Sequence, residues 1–322
     1  MSKNNPSSKN LSRRKFLGIA GAGLAGAMLP GTARAARKGE ELATMLDIES
    51  CINCGQCVQA CKQVNGHKFP EPEKPYPVMT PSSRVPVEDW SDKREVDDRL
   101  TPYNWLYIQT SRGQYQGMDF EIHIPRRCLH CQNPPCANLC PWGAAVRETN
   151  GIVRINDKIC LGGAKCRDVC PWLIPQRQTG VGLYLDLMPR FAGNGVMYKC
   201  DRCYDRIAQG EIPACIEVCP MQLQTMGPRK DIIRQARDLA EDIGGYIYGD
   251  TENGGTNTFY VSPVPFDVLN ENIITGPGRP HLKTVENSMA RSETLTAALA
   301  LAPMAGIAAG LLSLKANKKD KE

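Results

Sequence analysis

Aromatic side chains make up only 6% of this 322-residue chain, whereas glycine and proline number 29 and 24. Little aromatic bulk leaves modest means for building a core from side chains alone, and the turn formers predict a loop-rich body. A dominant charge is lacking too. The formal net charge is +5, with no aromatic-interleaved basic stripe or other nucleic-acid motif. No glycine-rich loop follows a strand-like segment, which excludes a dinucleotide site of the usual kind. No Cys-x-x-Cys-His occurs, so c-type haem is absent by its own signature. No acid–base pair or activated nucleophile stands out, so nothing points to bond-making chemistry on this chain.

Cysteine is abundant instead: fifteen residues in four runs. The first is Cys51-x2-Cys54-x2-Cys57-x3-Cys61, the spacing with which bacterial ferredoxins hold cubane iron–sulfur clusters. The second is Cys128-x2-Cys131-x4-Cys136-x3-Cys140-Pro141, and the third Cys160-x5-Cys166-x3-Cys170-Pro171. The fourth is Cys200-x2-Cys203-x11-Cys215-x3-Cys219-Pro220. An odd total and a repeated x2/x3 spacing argue against a disulfide framework. Structural zinc uses Cys-x2-Cys as well, but leaves the x3-Cys-Pro element unexplained. The pattern predicts iron–sulfur clusters and a protein that carries electrons, with cluster binding compensating for the thin core. The alternatives are a stand-alone iron–sulfur enzyme and a structural zinc-binding protein.

The two ends predict a location. Residues 1–35 read as a twin-arginine signal: Ser12-Arg13-Arg14-Lys15-Phe16-Leu17-Gly18, an apolar stretch over 19–29, then Ala33-Arg34-Ala35 as a cleavage site. That route exports proteins already folded around cofactors. Residues 294–314 hold no charge, and 21 residues at about 1.5 Å each cross roughly 30 Å of hydrocarbon. The tail 315–322 carries Lys315, Lys318, Lys319 and Lys321, which predicts a cytoplasmic tail and a body on the periplasmic face of the membrane. A buried alanine-rich helix, interrupted at Pro303, is the other reading of 294–314.

Between the ends, 36–45 reads as a polar lead-in and 62–127 as an insertion with six prolines in 69–86, an ordered surface loop or docking arm. Strands are predicted at 103–110 and 151–155, more weakly at 122–124, and again at 258–261. Apolar positions 232, 233, 236, 239, 240 and 243 predict a helix over 231–243, stopped by Gly244.

Taken with both ends, the runs resemble the four-cluster iron–sulfur (beta) subunits of membrane-bound periplasmic oxidoreductases. Formate dehydrogenase beta subunits and the related subunit of quinone-linked nickel–iron hydrogenases are similar. The stretch Tyr198-Lys199-Cys200-Asp201-x-Cys203, followed by Gly210-x-x-Pro213-Ala214-Cys215-x3-Cys219-Pro220, carries the resemblance most clearly. It implies an α+β fold: two ferredoxin-like dicluster halves over 36–227, a helix/strand extension over 228–293, and one C-terminal transmembrane helix. It implies partners as well, a molybdopterin enzyme or hydrogenase as catalytic subunit and a quinone-reactive membrane subunit or cytochrome. The protein itself would be no enzyme but a relay.

The resemblance also implies nested ligand sets, the first run pairing with the fourth and the second with the third. Cys51, Cys54, Cys57 and Cys219 would hold one 4Fe–4S cluster; Cys61, Cys200, Cys203 and Cys215 a second; Cys128, Cys131, Cys136 and Cys170 a third. Cys140, Cys160 and Cys166 remain for a fourth site, where Gly163 stands in place of a cysteine. That site would hold a 3Fe–4S cluster, a 4Fe–4S cluster completed by water or by Asp157 or Asp168, or none. His130 is expected beside a cluster or in a structural role. Lys199 and Arg202 are expected to favour a reduced, more negative cluster. Pro141, Pro171 and Pro220 are expected to end short helices, and Trp142 and Trp172 either to shield clusters or simply to pack.

Overall fold

The computed structural model describes residues 40–80, 86–190 and 193–290; the predicted signal 1–35 and the predicted anchor and tail, 294–314 and 315–322, lie outside them. In chain order the strands are β1 (Leu42–Asp47), β2 (Tyr107–Tyr115), β3 (Met118–Arg126), β4 (Ala145–Arg147), β5 (Val153–Ile155), β6 (Gln176–Gln178), β7 (Val196–Tyr198), β8 (Gln224–Pro228), β9 (Tyr246–Tyr248) and β10 (Thr258–Ser262). The helices are α1 (Gln56–Asn65), α2 (Pro135–Asn138), α3 (Lys165–Asp168), α4 (Tyr184–Leu187), α5 (Tyr204–Ala208), α6 (Ala214–Glu217), α7 (Arg229–Asp242) and α8 (Phe266–Glu271). None of these is long and apolar enough to cross a membrane.

The expectation of a polar lead-in over 36–45 is corrected. Residues 42–47 form an inner strand of the main sheet, ordered β8-β1-β10-β9, with β1 and β10 parallel and the other pairs antiparallel. Ala43 and Met45 face one side and Leu46 the other, the period of a strand. β10 is buried along its whole length, as befits a strand covered on both faces. Residues 228–293, expected as an extension, thus contribute β9 and β10 to the sheet that β1 begins.

Helix α7 covers one face. Ile232, Ala236 and Ala240 pack on Ala43, Met45, Phe259 and Val261. Its C-terminus closes as the spacing predicts. Gly244 sits at φ 61°, Gly244 N–H donates to Glu241 O at 3.2 Å, and Gly245 N–H to Ala240 O at 2.7 Å. The opposite face, with Leu46 and Tyr260, meets the main core, which holds most of the cysteines. The sheet therefore stands between the helix and the cysteine runs.

In the insertion, β2 and β3 form a hairpin paired from Tyr107↔Arg126 to Tyr115↔Met118. Gln116 and Gly117, at φ 51° and 76°, make a two-residue turn of the kind that matches strand twist. The strand predicted at 103–110 starts only at Tyr107, and the hairpin runs past the predicted 110 and 122–124 because its distal half is polar. Arg112–Glu121 (2.6 Å) and Gln114–Asp119 (2.7 Å) join the strands where no apolar alternation shows.

The proline-rich arm lies against the third run. Glu88 receives Arg167 at 2.7 and 2.9 Å and Arg177 at 2.6 Å. Arg177 also donates to Gly162 O and Pro86 O. Glu73 N–H reaches Gly180 O at 2.7 Å, and Thr179 N–H reaches Glu88 O at 2.9 Å.

Candidate metal centres

One backbone pattern recurs in all four runs. The second residue after the leading cysteine is left-handed: Asn53 (φ 54°), His130 (φ 51°), Gly162 (φ 65°) and Arg202 (φ 56°). This turn brings the next position back toward the first cysteine. In three runs that position is Cys54, Cys131 or Cys203; in the third it is Gly163. The exits repeat as well. Gly143, Leu173 and Gln222 donate backbone N–H to Cys140 O, Cys170 O and Cys219 O at 3.2, 3.0 and 3.1 Å. Pro141, Pro171 and Pro220 therefore open β-turns after helices that end earlier, at Asn138, Asp168 and Glu217. This corrects the expectation that these prolines end the helices.

Packing follows the repeats. α1 of the first run packs on α6 of the fourth, and α2 of the second on α3 of the third. Cys51 comes within electrostatic reach of Cys54 and Cys219, and Cys57 of Cys51 and Cys219. Cys61 stands among Cys200, Cys203 and Cys215. Cys131 stands among Cys128, Cys136 and Cys170, and Cys166 beside Cys140 and Cys160.

Neighbouring groups lie within electrostatic reach of one another in a fixed order. Cys57 is within electrostatic reach of Cys215, Cys200 of Cys128, and Cys166 of Cys136 and Cys170. The series starts at exposed Cys54 and ends at the Cys140–Cys160–Cys166 group with Gly163. A β-carbon at Gly163 would meet nothing within 4 Å, and its backbone is ordinary for an L residue. Asp157 stands within electrostatic reach of Cys160, on the rim of an open cleft.

Among the described residues no three His, Cys, Asp or Glu side chains converge on a single ion-sized point. The thiols ring hollows instead. One is lined by Cys128, Cys131, Cys136 and Cys170 with Val153, Trp172 and Lys199. Another is lined by Cys61, Cys200, Cys203 and Cys215 with Asn65, Trp105 and Arg127. Hollows ringed by four thiols each, with no single ion-sized point of convergence, suit a thiolate-held cluster better than one zinc ion.

Electrostatics make the same point. Burial pushes the thiols of Cys57, Cys136 and Cys200 up to about 12 and that of Cys170 to about 11, so empty thiols here hold their protons. Yet buried cations surround them. Burial disfavours the charge on Lys199, but Cys128, Cys136 and Cys200, when ionised, outweigh it and its pKa is raised. A buried positive charge beside sulfur fits an anionic cluster bound there.

Two residues that spacing did not mark touch the sulfurs. Arg127 donates from Nη1 to Cys215 Sγ at 2.9 Å and to Gln224 Oε1 at 2.7 Å. Asn65 Nδ2 donates to Cys61 O at 3.0 Å and lies 3.7 and 3.9 Å from the sulfurs of Cys61 and Cys203. Arg127 directly precedes a run, and Asn65 is one helical turn beyond Cys61, so adjacency was the available signal. Among the residues singled out earlier, His130 accepts Val153 N–H on Nδ1 at 3.0 Å, which places its own proton on Nε2. Arg202 spends its guanidinium on Leu42 O, Asn257 O and Thr258 Oγ1, tying the fourth run to the sheet.

Comparison with known proteins agrees with this geometry. Models of the 4Fe–4S dicluster domain match residues 50–144 and 118–229. A protein of Nitratidesulfovibrio vulgaris is 32% identical over 274 residues, 81% of this chain and 67% of its own length. The chain belongs to the 4Fe–4S dicluster family. Hydrogenase-2 operon protein HybA of Escherichia coli O157:H7 is 27% identical, over 80% of this chain and 83% of its own. The iron–sulfur subunit of nitrate-inducible formate dehydrogenase of Escherichia coli K12 is 26% identical, over 69% and 68%. This dicluster protein is thus a homologue of iron–sulfur electron-transfer subunits, with two dicluster domains in a mixed α and β body.

Proposed function

We propose that this protein relays single electrons between a periplasmic catalytic subunit, of the molybdopterin or nickel–iron hydrogenase type, and a quinone-reactive membrane subunit or cytochrome. The observation that carries the reading is the series of four cysteine groups, each within electrostatic reach of the next. Each bound cluster supplies a centre that accepts and releases one electron. The chain's own residues do the rest. The nested cysteine sets serve as ligands, with Cys61, Cys140, Cys170 and Cys219 each crossing to the partner run. Trp105 and Trp172 keep water out, and Lys199 and Arg127 place positive charge against the sulfurs.

The Cys140, Cys160 and Cys166 group, open at Gly163, suits a 3Fe–4S cluster. The Arg13-Arg14 motif supports export by the twin-arginine route, and the uncharged 294–314 stretch supports a C-terminal anchor with its basic tail in the cytoplasm.

Gly163→Cys tests the fourth site. Anaerobically purified wild type should show an oxidised 3Fe–4S signal by electron paramagnetic resonance, and the variant should lose it and gain a reducible 4Fe–4S signal. An oxidised wild type without that signal, or a variant with an unchanged spectrum, would count against the assignment.

A further inference from the structure

Three cations lie buried among the cysteine groups. Arg127, Lys199 and Arg202 are 4%, 6% and 4% exposed. Their hydrogen bonds run to carbonyls, an amide, a hydroxyl and a thiol, not to carboxylates. A buried charge without a counter-charge is costly, so a negative group must sit close by. Arg202 lines the hollow of Cys61, Cys200, Cys203 and Cys215 as well, but its two terminal nitrogens are spent on Leu42 O, Asn257 O and Thr258 Oγ1. The other two are placed differently.

Arg127 is bonded to Cys215 Sγ and lines the hollow shared by Cys61, Cys200, Cys203 and Cys215. It is also within electrostatic reach of Cys57, of the neighbouring group. Lys199 lines the hollow of Cys128, Cys131, Cys136 and Cys170, and its Nζ donates to Cys200 O at 3.1 Å and to Val153 O. It too stands between two groups. The cations thus occupy successive junctions of the series, and the Cys61–Cys200–Cys203–Cys215 group lies between them.

We propose that Arg127 and Lys199 are junction charges, each raising the reduction potentials of the two clusters it separates and easing the repulsion between electrons held on both. This rests on the reading that the groups hold iron–sulfur clusters. A fixed charge in a low-dielectric interior favours the more negative state of every centre near it, and cluster potentials follow local charge and hydrogen bonding to sulfur. A residue serving one cluster alone would shift one potential; a junction charge must shift two.

Anaerobic redox titration of the full-length protein in its membrane complex, followed by electron paramagnetic resonance, tests this with Arg127→Gln, Arg127→Lys and Lys199→Gln. Iron and acid-labile sulfide are measured on each preparation first. Each glutamine variant should make two clusters harder to reduce, by about tenfold in the one-electron equilibrium, or about 59 mV. One of the shifted clusters should be common to both variants. Arg127→Lys should leave the potentials near wild type, which a purely structural role would not explain. A shift of one cluster, a uniform shift of all, or no shift would overturn the proposal. So would glutamine variants that both fail to load iron, since the cations would then be needed for assembly. A wild type without iron–sulfur signals would instead defeat the cluster reading itself.

Discussion

Trp142 and Trp172 occupy the same place in their runs, two residues after the last cysteine, yet one is 59% exposed and the other 1%. Trp172 lines the hollow of the third group, and its Nε1–H donates to Tyr248 Oη at 2.7 Å. Tyr248 in turn donates to Lys283 O at 2.9 Å. Sequence offered shielding and packing equally for both tryptophans, because the neighbours that bury Trp172 come from the far end of the chain. Trp172→Ala should cost about 3–5 kcal/mol and make iron loss in air faster. Trp142→Ala should change stability by less than about 0.5 kcal/mol. Thermal melts and iron retention check both, and equal effects would refute the distinction. Arg127 shows the same limit of local reading: nothing in its own surroundings along the chain marks it as Cys215's partner.

Among the elements, α7 was legible because six apolar positions at helical spacing and a terminal glycine lie in one short stretch. β1 was not. Its partners β8 and β10 come from beyond the fourth run and within the region read as an extension, and charged residues precede it. Because the sheet separates α7 from the cysteines, Ile232→Ala should lower stability by about 2–5 kcal/mol and leave cluster potentials unmoved. Redox titration of the variant checks this; shifted potentials would mean the sheet does not insulate the groups.

The proline-rich arm makes a pH prediction. Burial alone would raise the Glu88 carboxyl, but Arg167 and Arg177 outweigh it and hold it below its ordinary value of about 4.5. A depressed carboxyl contributes stability above that value and loses it as pH falls below. The arm should therefore resist protease at neutral pH and open under acid, and Glu88→Gln should open it at neutral pH, at a cost of about 1–3 kcal/mol. Hydrogen exchange over residues 69–90 is the measurement, and equal protection in variant and wild type would refute the clamp.

For the whole molecule, spacing within each run told the chemistry, because ligand geometry is local. Which thiols stand side by side is a tertiary matter, decided where α1 meets α6 and α2 meets α3. The four left-handed turns make the runs structural repeats despite unequal spacing, and they place Gly163 where the other runs have cysteine. The central claim, that these groups hold a chain of iron–sulfur clusters, is tested most directly by electron paramagnetic resonance with metal analysis on anaerobically purified protein. The account predicts iron and acid-labile sulfide with little zinc, a 3Fe–4S signal when oxidised, and spin-coupled 4Fe–4S signals after dithionite. A colourless, zinc-rich protein silent in both states would contradict it.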